Sequence, residues 1–314
     1  LGVQSEPVVM TTDYPRPAEP TYDGARFSHV LSPSLSTALR TLSQQENVTL
    51  YMTLLAVFQV LLSRYTGQND ISVGSPVANR KAETEQLLGF FVNTLVLRGR
   101  VLPHLTFRHY LNQVKTTTLD AFAHQDLPLE RLVEELQPQR HINYNPLFQY
   151  FFTLETKAPQ TTPWADLDCT LLDVDLPTTK FDLSLTVADD GSTLTTTFTY
   201  NTHLFAPETI TRMMGHLETL LQAVTSQPDR PLAHFSLLTS PEAQQLLHDW
   251  NQTAHSFPVD ICLPELFARQ VAQTPDAPAL RWAGQPVTYR QLNEKSLRLA
   301  RYLQQQGGGP ETLV

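Results

Sequence analysis

Leu88-Gly89-Phe90-Phe91-Val92-Asn93-Thr94-Leu95 and His124-Gln125-Asp126-Leu127-Pro128-Leu129-Glu130 are the two stretches on which the reading of this chain turns. Taken locally, Thr94–Leu97 reads as a strand, and Phe90, Phe91 and Val92 ahead of it read as residues of a strand or turn filling a core. In the second stretch Asp126 precedes Pro128 and a short helical face of Leu129, Leu132, Val133 and Leu136. That order makes Asp126 the expected helix N-cap.

Upstream, residues 1–25 carry Pro7, Pro15, Pro17 and Pro20 without periodicity and read as an extended connector. Ser32 then caps a helix, Pro33 takes its first turn, and Leu35, Leu39 and Leu42 share one face. The next helix, from Thr49 to Tyr65 with a stop at Gly67, is apolar nearly all round, the mark of a core helix. Ile71 and Val73 alternate with polar residues into Gly74-Ser75-Pro76-Val77. Downstream, Phe107, Leu111, Val114, Thr118, Ala121 and Phe122 space out another helix, and Leu147–Leu154 reads as a buried strand. Phe181–Val187 and Leu194–Tyr200 flank Asp189-Asp190-Gly191-Ser192, a hairpin signal. Ile210, Met213, Met214, Leu217, Leu221 and Val224 form an amphipathic helix. The pattern weakens from Leu237 to Pro258, apart from a short Leu246–Trp250 segment. It resumes with a helix at Leu263, a hairpin over Arg281–Thr288 and a helix over Leu292–Gln306. Strands and helices mix without strict βαβ alternation, so the expectation is an α/β domain with a mixed sheet and a second module starting near residue 260.

Composition bounds the function. The 314 residues are 41% hydrophobic and 17% charged, enough for a sizeable core and too lightly charged for disorder. Glycine is scarce at 12 residues and no GxxxxGK or GxGxxG occurs, so the common phosphate cradles are absent. A net charge of -9 with no run of lysines or arginines argues against nucleic acid, whose binding needs a basic face. Cys169 and Cys262 lie far apart in sequence and fit a reducing compartment without a disulfide framework. The longest apolar stretch, Leu50–Leu62, is broken by Thr53 and Gln59 and is too short for a membrane span. The expectation is a soluble, cytoplasmic chain with neither nucleic acid nor membrane as partner. Its ends, Leu1 and Leu313-Val314, look like those of a piece excised from something longer.

No self-contained active site emerges from the residues. Among ten histidines none shows HExxH-type spacing, and His29, His109, His203, His216 and His248 read as ordinary surface or satisfied-core residues. Asp166, Asp168, Asp173, Asp175 and Asp182 lack the glycine and closing glutamate of a calcium loop and read as solvated strand edges. No GxSxG elbow is present, and no metal site is expected.

The ordered pieces nonetheless resemble one family. Gly89-Phe90-Phe91-Val92-Asn93-Thr94 resembles the GxFVNT motif of condensation domains in nonribosomal peptide synthetases. His124-Gln125-Asp126-Leu127-Pro128-Leu129-Glu130 resembles that family's HQDxPFE motif, with Leu129 in place of phenylalanine. Arg140 with Asn145-Pro146-Leu147-Phe148-Gln149 is similar to its RxxSRNPLFQ segment, although His141, Ile142, Asn143 and Tyr144 depart from it. Gly74-Ser75-Pro76-Val77-Ala78-Asn79-Arg80 and Tyr200-Asn201-Thr202 belong to the same likeness. Thr274-Pro275-Asp276-Ala277 and Val287-Thr288-Tyr289-Arg290-Gln291-Leu292-Asn293 resemble the opening of an adenylation domain.

The resemblance implies a chloramphenicol-acetyltransferase-like lobe with a mixed sheet and packed helices. It also implies a domain plan: residues 1–25 as connector from an N-terminal lobe, 26–236 as condensation C-terminal lobe, 237–260 as linker, and 261–314 as a truncated adenylation start. The family joins carrier-bound acyl and aminoacyl thioesters through an amide bond, using an HHxxxDG motif in its N-terminal lobe. This chain has no His-His pair, so no catalytic residue is expected in it. Gly89, Phe90, Asn93, Thr94, His124, Gln125, Asp126, Arg140 and Asn145 become candidates for lining a tunnel or meeting the other lobe. Arg140 is favoured as one half of a structural salt bridge, and Asn145-Pro146 as a turn feeding a buried strand. Partners implied are the N-terminal lobe, peptidyl carrier domains and the rest of the adenylation domain. No cofactor is expected to bind directly: phosphopantetheine arrives on carriers, and ATP and magnesium belong to the absent adenylation core. Epimerisation and heterocyclisation variants of the fold, and a non-catalytic scaffold that binds carriers, are the alternatives.

Overall fold

A computed structural model describes residues 8–80, 82–138, 143–156, 161–164, 167–170, 177–256 and 260–309. The chain forms two compact units, Leu1–Leu247 and His248–Val314. The first opens with β1 (Gly24–Val30), α1 (Pro33–Gln45), α2 (Leu50–Thr66), β2 (Asp70–Val77) and β3 (Asn93–Arg100). It continues through α3 (Phe107–Ala123), α4 (Leu129–Leu136), β4 (Tyr150–Thr156) and a small pair, β5 (Thr161–Trp164) with β6 (Leu167–Thr170). It closes with β7 (Leu183–Asp189), β8 (Leu194–Asn201), α5 (Pro207–Ser226) and α6 (Ser240–Leu247). Six strands form one mixed sheet in the order β1-β8-β7-β4-β2-β3, in which β4 runs parallel to both β2 and β7.

Local chemistry explains most of these elements. Ser32 accepts from the Leu35 amide to cap α1, and Thr49 accepts from the Met52 amide to cap α2. Gly67, at φ 68°, ends α2 in the left-handed conformation that glycine adopts without penalty. Asp190 accepts from the Thr193 and Ser192 amides and from both hydroxyls. With Gly191 at φ 88° this closes the expected β7–β8 hairpin. Those bonds hold the Asp190 carboxyl well below its ordinary range.

The core lies between the sheet and a layer made by α1, α2, α3 and α5, with α2 touching each of the others. Alternating burial along β7 and β8 puts Leu183, Leu185, Val187, Leu194 and Phe198 inside. Phe151 points to the opposite face from Tyr150 and Phe152. There it stacks on Phe181 at 4.5 Å, with Phe148 close by.

Several expectations are corrected. A strand, β1, runs where none was expected and pairs with β8 from Gly24↔Asn201 to Val30↔Thr195. Its alternation is faint because Arg26, Ser28 and Val30 face outward and only Ala25 and Phe27 pack on the core. Inside the stretch read as connector, Val8 and Met10 are buried, and the Met10 amide donates to the Tyr150 hydroxyl at 2.8 Å. The polar segment after Leu237 contains α6, earlier than the Leu246–Trp250 segment singled out by periodicity. Asp182 is not a solvated edge: its side chain is ion-paired with Arg16 and 14% exposed. Asp168 lies on β6, and Asp166, Asp173 and Asp175 fall outside the described residues.

The second unit has α7 (Leu263–Gln273), the hairpin β9 (Pro278–Trp282) with β10 (Gln285–Thr288), and α8 (Tyr289–Gln305). Thr288 and Gln291 complete a capping box at the start of α8. Phe267 and Tyr289 pair at 6.0 Å between ring centres.

Gly74 admits the Phe148 ring where a side chain would not fit. A methyl group there would sit 2.6 Å from Phe148 Cδ2, and both residues are buried. Gly74→Ala is therefore expected to lower stability by about 1–3 kcal/mol through overpacking, read as a shift in urea midpoint at unchanged slope.

Candidate functional site

Asn93 is where the two opening stretches meet. It sits at the first position of β3, opposite Val77, and so closes the 78–92 loop. Its Nδ2 donates to the carbonyls of Gln125 and Leu127 at 2.7 and 2.8 Å, and its Oδ1 accepts from the Thr94 amide at 2.9 Å. One side-chain amide thus satisfies two carbonyls of the segment that leads into α4. Only a group with a two-hydrogen donor end and an acceptor end can make this set of bonds.

The loop that Asn93 closes is organised from its other end by Arg80. The guanidinium donates to the carbonyls of Thr84 and Leu87, each at 2.8 Å, and to that of Gly89 at 3.5 Å. It also lies 4.6 Å above the Phe91 ring, a cation–π contact. Wrapped this way, the loop turns its apolar residues outward. Phe90 is 90% exposed, Leu88 is fully exposed, and Leu87, Val92 and Leu127 are about half exposed or more. The core-filling reading of Phe90 is therefore overturned: apolarity alone does not separate a core residue from one meant for a partner.

His124 ends α3, and its Nδ1–H donates to the Asp120 carbonyl at 2.8 Å. Gln125 contributes its backbone carbonyl to Asn93. Asp126 does not cap α4. Pro128 occupies the N-cap position, without a side-chain cap bond, because its backbone already has the extended geometry that precedes a helix. α4 presents Leu129, Leu132, Val133 and Leu136 on one face and buries none of them completely.

Asn145 lies apart from this group, beside a polar cavity of about 230 Å³ lined in part by Arg16, Tyr144, Gln149, Lys180 and Asp182. Its side chain accepts from the Leu147 amide, which makes the turn expected before β4. Arg16 donates through both terminal nitrogens to Asp182 and lies 4.2 Å over the Tyr144 ring. Burial pulls the Arg16 pKa down, and the bonds to Asp182 outweigh that and raise it. Sequence reasoning missed Arg16, which sits between two prolines with nothing local to mark it. Arg140 falls outside the described residues.

Among the described residues no group of histidine, cysteine and carboxylate residues is placed to hold a metal ion. His29 and His203 pair with Glu218 and Asp23, as satisfied histidines do. Tyr65, bonded to His216, has its phenol pushed up to about 12, mainly by burial, the wrong direction for a nucleophile or base. No single helix among the described residues is long and apolar enough to cross a membrane. α1 and α2 satisfy that test only together, bent by 106°.

Comparison with known proteins gives the family. Residues 3–247 match the family model of the condensation domain, and residues 267–314 match that of the AMP-binding enzyme. A linear gramicidin synthase of Brevibacillus parabrevis is 43% identical over 314 residues, covering 99% of this chain and 6% of that protein. Chondramide synthase of Chondromyces crocatus is 41% identical over 313 residues, covering 98% of this chain and 8% of its own length. The chain thus spans a small part of these relatives. Among solved structures, a four-domain nonribosomal peptide synthetase bound to AMP and glycine covers 98% of this chain and 24% of its own, with a TM-score of 0.83 and 25% identity. The condensation domain of Monacolin K polyketide synthase covers 74% of this chain and 55% of its own, at a TM-score of 0.64 and 23% identity, a likeness of fold. The chain belongs to the condensation-domain family of nonribosomal peptide synthetases, with its chloramphenicol-acetyltransferase-like α/β fold, and runs on into the start of an AMP-binding domain.

Proposed function

We propose that this chain is the C-terminal lobe of a condensation domain within a cytoplasmic peptide synthetase, followed by a linker and the opening of an adenylation domain. The observation that carries the reading is the order of the two family matches, 3–247 then 267–314, on one chain. In the reaction, the amine of a carrier-bound aminoacyl group attacks the carbonyl of an acyl thioester on a second carrier. The amide bond forms, the carbon–sulfur bond breaks, and the thiol leaves with a proton. The chain has no His-His pair to move that proton, so the group that does so comes from the N-terminal lobe. Phosphopantetheine enters on the carriers, and ATP is used by the remainder of the adenylation domain.

This lobe contributes shape. Asn93 and Arg80 fix the 78–92 loop so that Leu87, Leu88, Phe90 and Val92 face outward beside Leu127, a patch suited to the N-terminal lobe. Left uncovered, such a patch favours self-association of the isolated chain. Joining the chain to an N-terminal condensation lobe should restore dipeptidyl-thioester formation with loaded carriers, whereas the chain alone should give none. A folded two-lobe protein that yields no product with competent carriers would refute the assignment.

The Asn93 clasp has its own signature. Asn93→Ala should cost about 1–3 kcal/mol by leaving two carbonyls without their donor. Asn93→Asp should cost more, although it is isosteric, because a carboxylate would face the same carbonyls. Urea midpoints of the two variants rank them directly, and the two-lobe enzyme should lose turnover in the same order.

A further inference from the structure

A cleft of about 640 Å³ lies between α2, β3 and α3, a size at which small molecules are commonly bound. Leu55, Leu97 and Val114, all buried, supply its apolar wall. Gln59 also lines it, but that amide is already bonded to the Leu97 carbonyl and the Tyr110 hydroxyl. Two polar groups of the cleft are unused. Thr118 is fully buried, yet its hydroxyl has no hydrogen-bond partner. Helical threonines elsewhere in the chain turn back to the carbonyl four residues earlier, as Thr66, Thr116, Thr219 and Thr225 do. Thr118 does not make that bond, so its hydroxyl is left for another partner. The second unused group is Arg100, which is exposed and has no ion-pair partner among the described residues. Its neighbour Arg98 is paired with Asp70. No acidic side chain lines the cleft, so its charge is of one sign.

These features are arranged lengthwise. Gly99 adjoins the Tyr110 hydroxyl near the start of α3, and Asn93 binds the backbone just after its end, so α3 runs back along β3. From Tyr110, beside the Arg100 end, to Thr118 the helix rises about 12 Å at 1.5 Å per residue. A guanidinium thus marks one end of an apolar wall and a buried hydroxyl the other.

We propose that this cleft binds a medium-chain carboxylic acid with an oxygen at its far end. The carboxylate meets Arg100, the chain lies against Leu55, Leu97 and Val114, and the terminal oxygen bonds Thr118. Burial of the chain supplies most of the affinity. The exposed ion pair adds little and sets which end enters. None of the lining residues belongs to the 78–92 loop or the 124–130 segment, so the inference does not rest on the condensation reaction.

Calorimetric titration of the 314-residue chain with ω-hydroxydecanoate, decanoate and decanediol tests this. One saturable site is expected below the concentration of micelle formation. Arg100→Gln should weaken ω-hydroxydecanoate roughly 3-fold, the scale of an exposed ion pair, and leave decanediol unchanged. Thr118→Val should weaken ω-hydroxydecanoate roughly 5-fold, the scale of one neutral hydrogen bond, and leave decanoate unchanged. Val114→Phe, which fills the cleft, should abolish binding of all three. Phe90→Ser, which strips the exposed ring from the 78–92 loop, should alter none. Absence of saturable binding would overturn the proposal. Binding kept in Val114→Phe and lost in Phe90→Ser would move the acid to that loop and refute it. Equal weakening of acid and diol in Arg100→Gln would show that no carboxylate is read there, and would refute it as well. Should Val114→Phe fail to fold, the exposed Arg100→Gln and the isosteric Thr118→Val decide the matter.

Discussion

A helix buried on every side exists only where other elements close around it, and α2 imposes that condition on the whole first unit. Every residue from Met52 to Ser63 is buried. Of its three polar side chains, Ser63 donates to the Gln68 carbonyl just past the helix, and Thr53 and Gln59 find partners from neighbouring elements. Thr53 Oγ1 lies 2.7 Å from Ser43 Oγ of α1. Gln59 donates to the Leu97 carbonyl of β3 at 3.1 Å and accepts from the Tyr110 hydroxyl of α3 at 2.7 Å. α1, α3 and β3 are tied to α2 by these bonds as well as by apolar contact. Loss of the Tyr110 hydroxyl would leave the buried Gln59 carbonyl oxygen unpaired, at about 1–3 kcal/mol.

The segments most distinctive in composition turn out to be partners. The glycine of Gly74-Ser75-Pro76-Val77 exists to admit the ring of Phe148. Asn93 binds the backbone of the His124–Glu130 segment. Asn201 donates to the Thr21 carbonyl at 2.8 Å and accepts from the His203 amide at 2.9 Å. These are solutions to close approach and backbone satisfaction, and the distinctive residues of this chain act as joints between segments.

Much of the architecture was legible because it was written locally. The Ser32 cap, the stop at Gly67, the Asp190-Gly191 hairpin turn and the 3.6-residue spacing of α2, α3 and α5 each depend on neighbours within a few positions. What escaped depends on distant partners or on competition for one position. Arg16 and Asp182 are 166 positions apart, so neither declares the other. Asp126 was a sound cap candidate, but the extended geometry of Pro128 put the helix start after it. Phe90 carries the same letter inside a core or on the surface, and only the loop's backbone, folded around Arg80, decides which. Of the candidate residues, Asn93 joins the Gln125 and Leu127 backbone while Asn145 lies elsewhere, and no local pattern announces either placement.

The place of β1 has a consequence for how the unit comes together. Among the described residues it is the first strand of the sheet, yet its neighbour there is β8, the last of that sheet in sequence. Thr21 and Asn201, bonded just before that pairing begins, are 180 positions apart. The helices α1 and α2 and the β7–β8 hairpin form from near neighbours, but this edge cannot close until most of the unit has been made. Contacts of such long range slow folding, because the loop must be closed before the pairing rewards it. In the interval the outer edge of β8 presents unpaired backbone groups that any extended segment can use. Within this unit, β1 is made before the strand it pairs with, and it would be among the last to find its place.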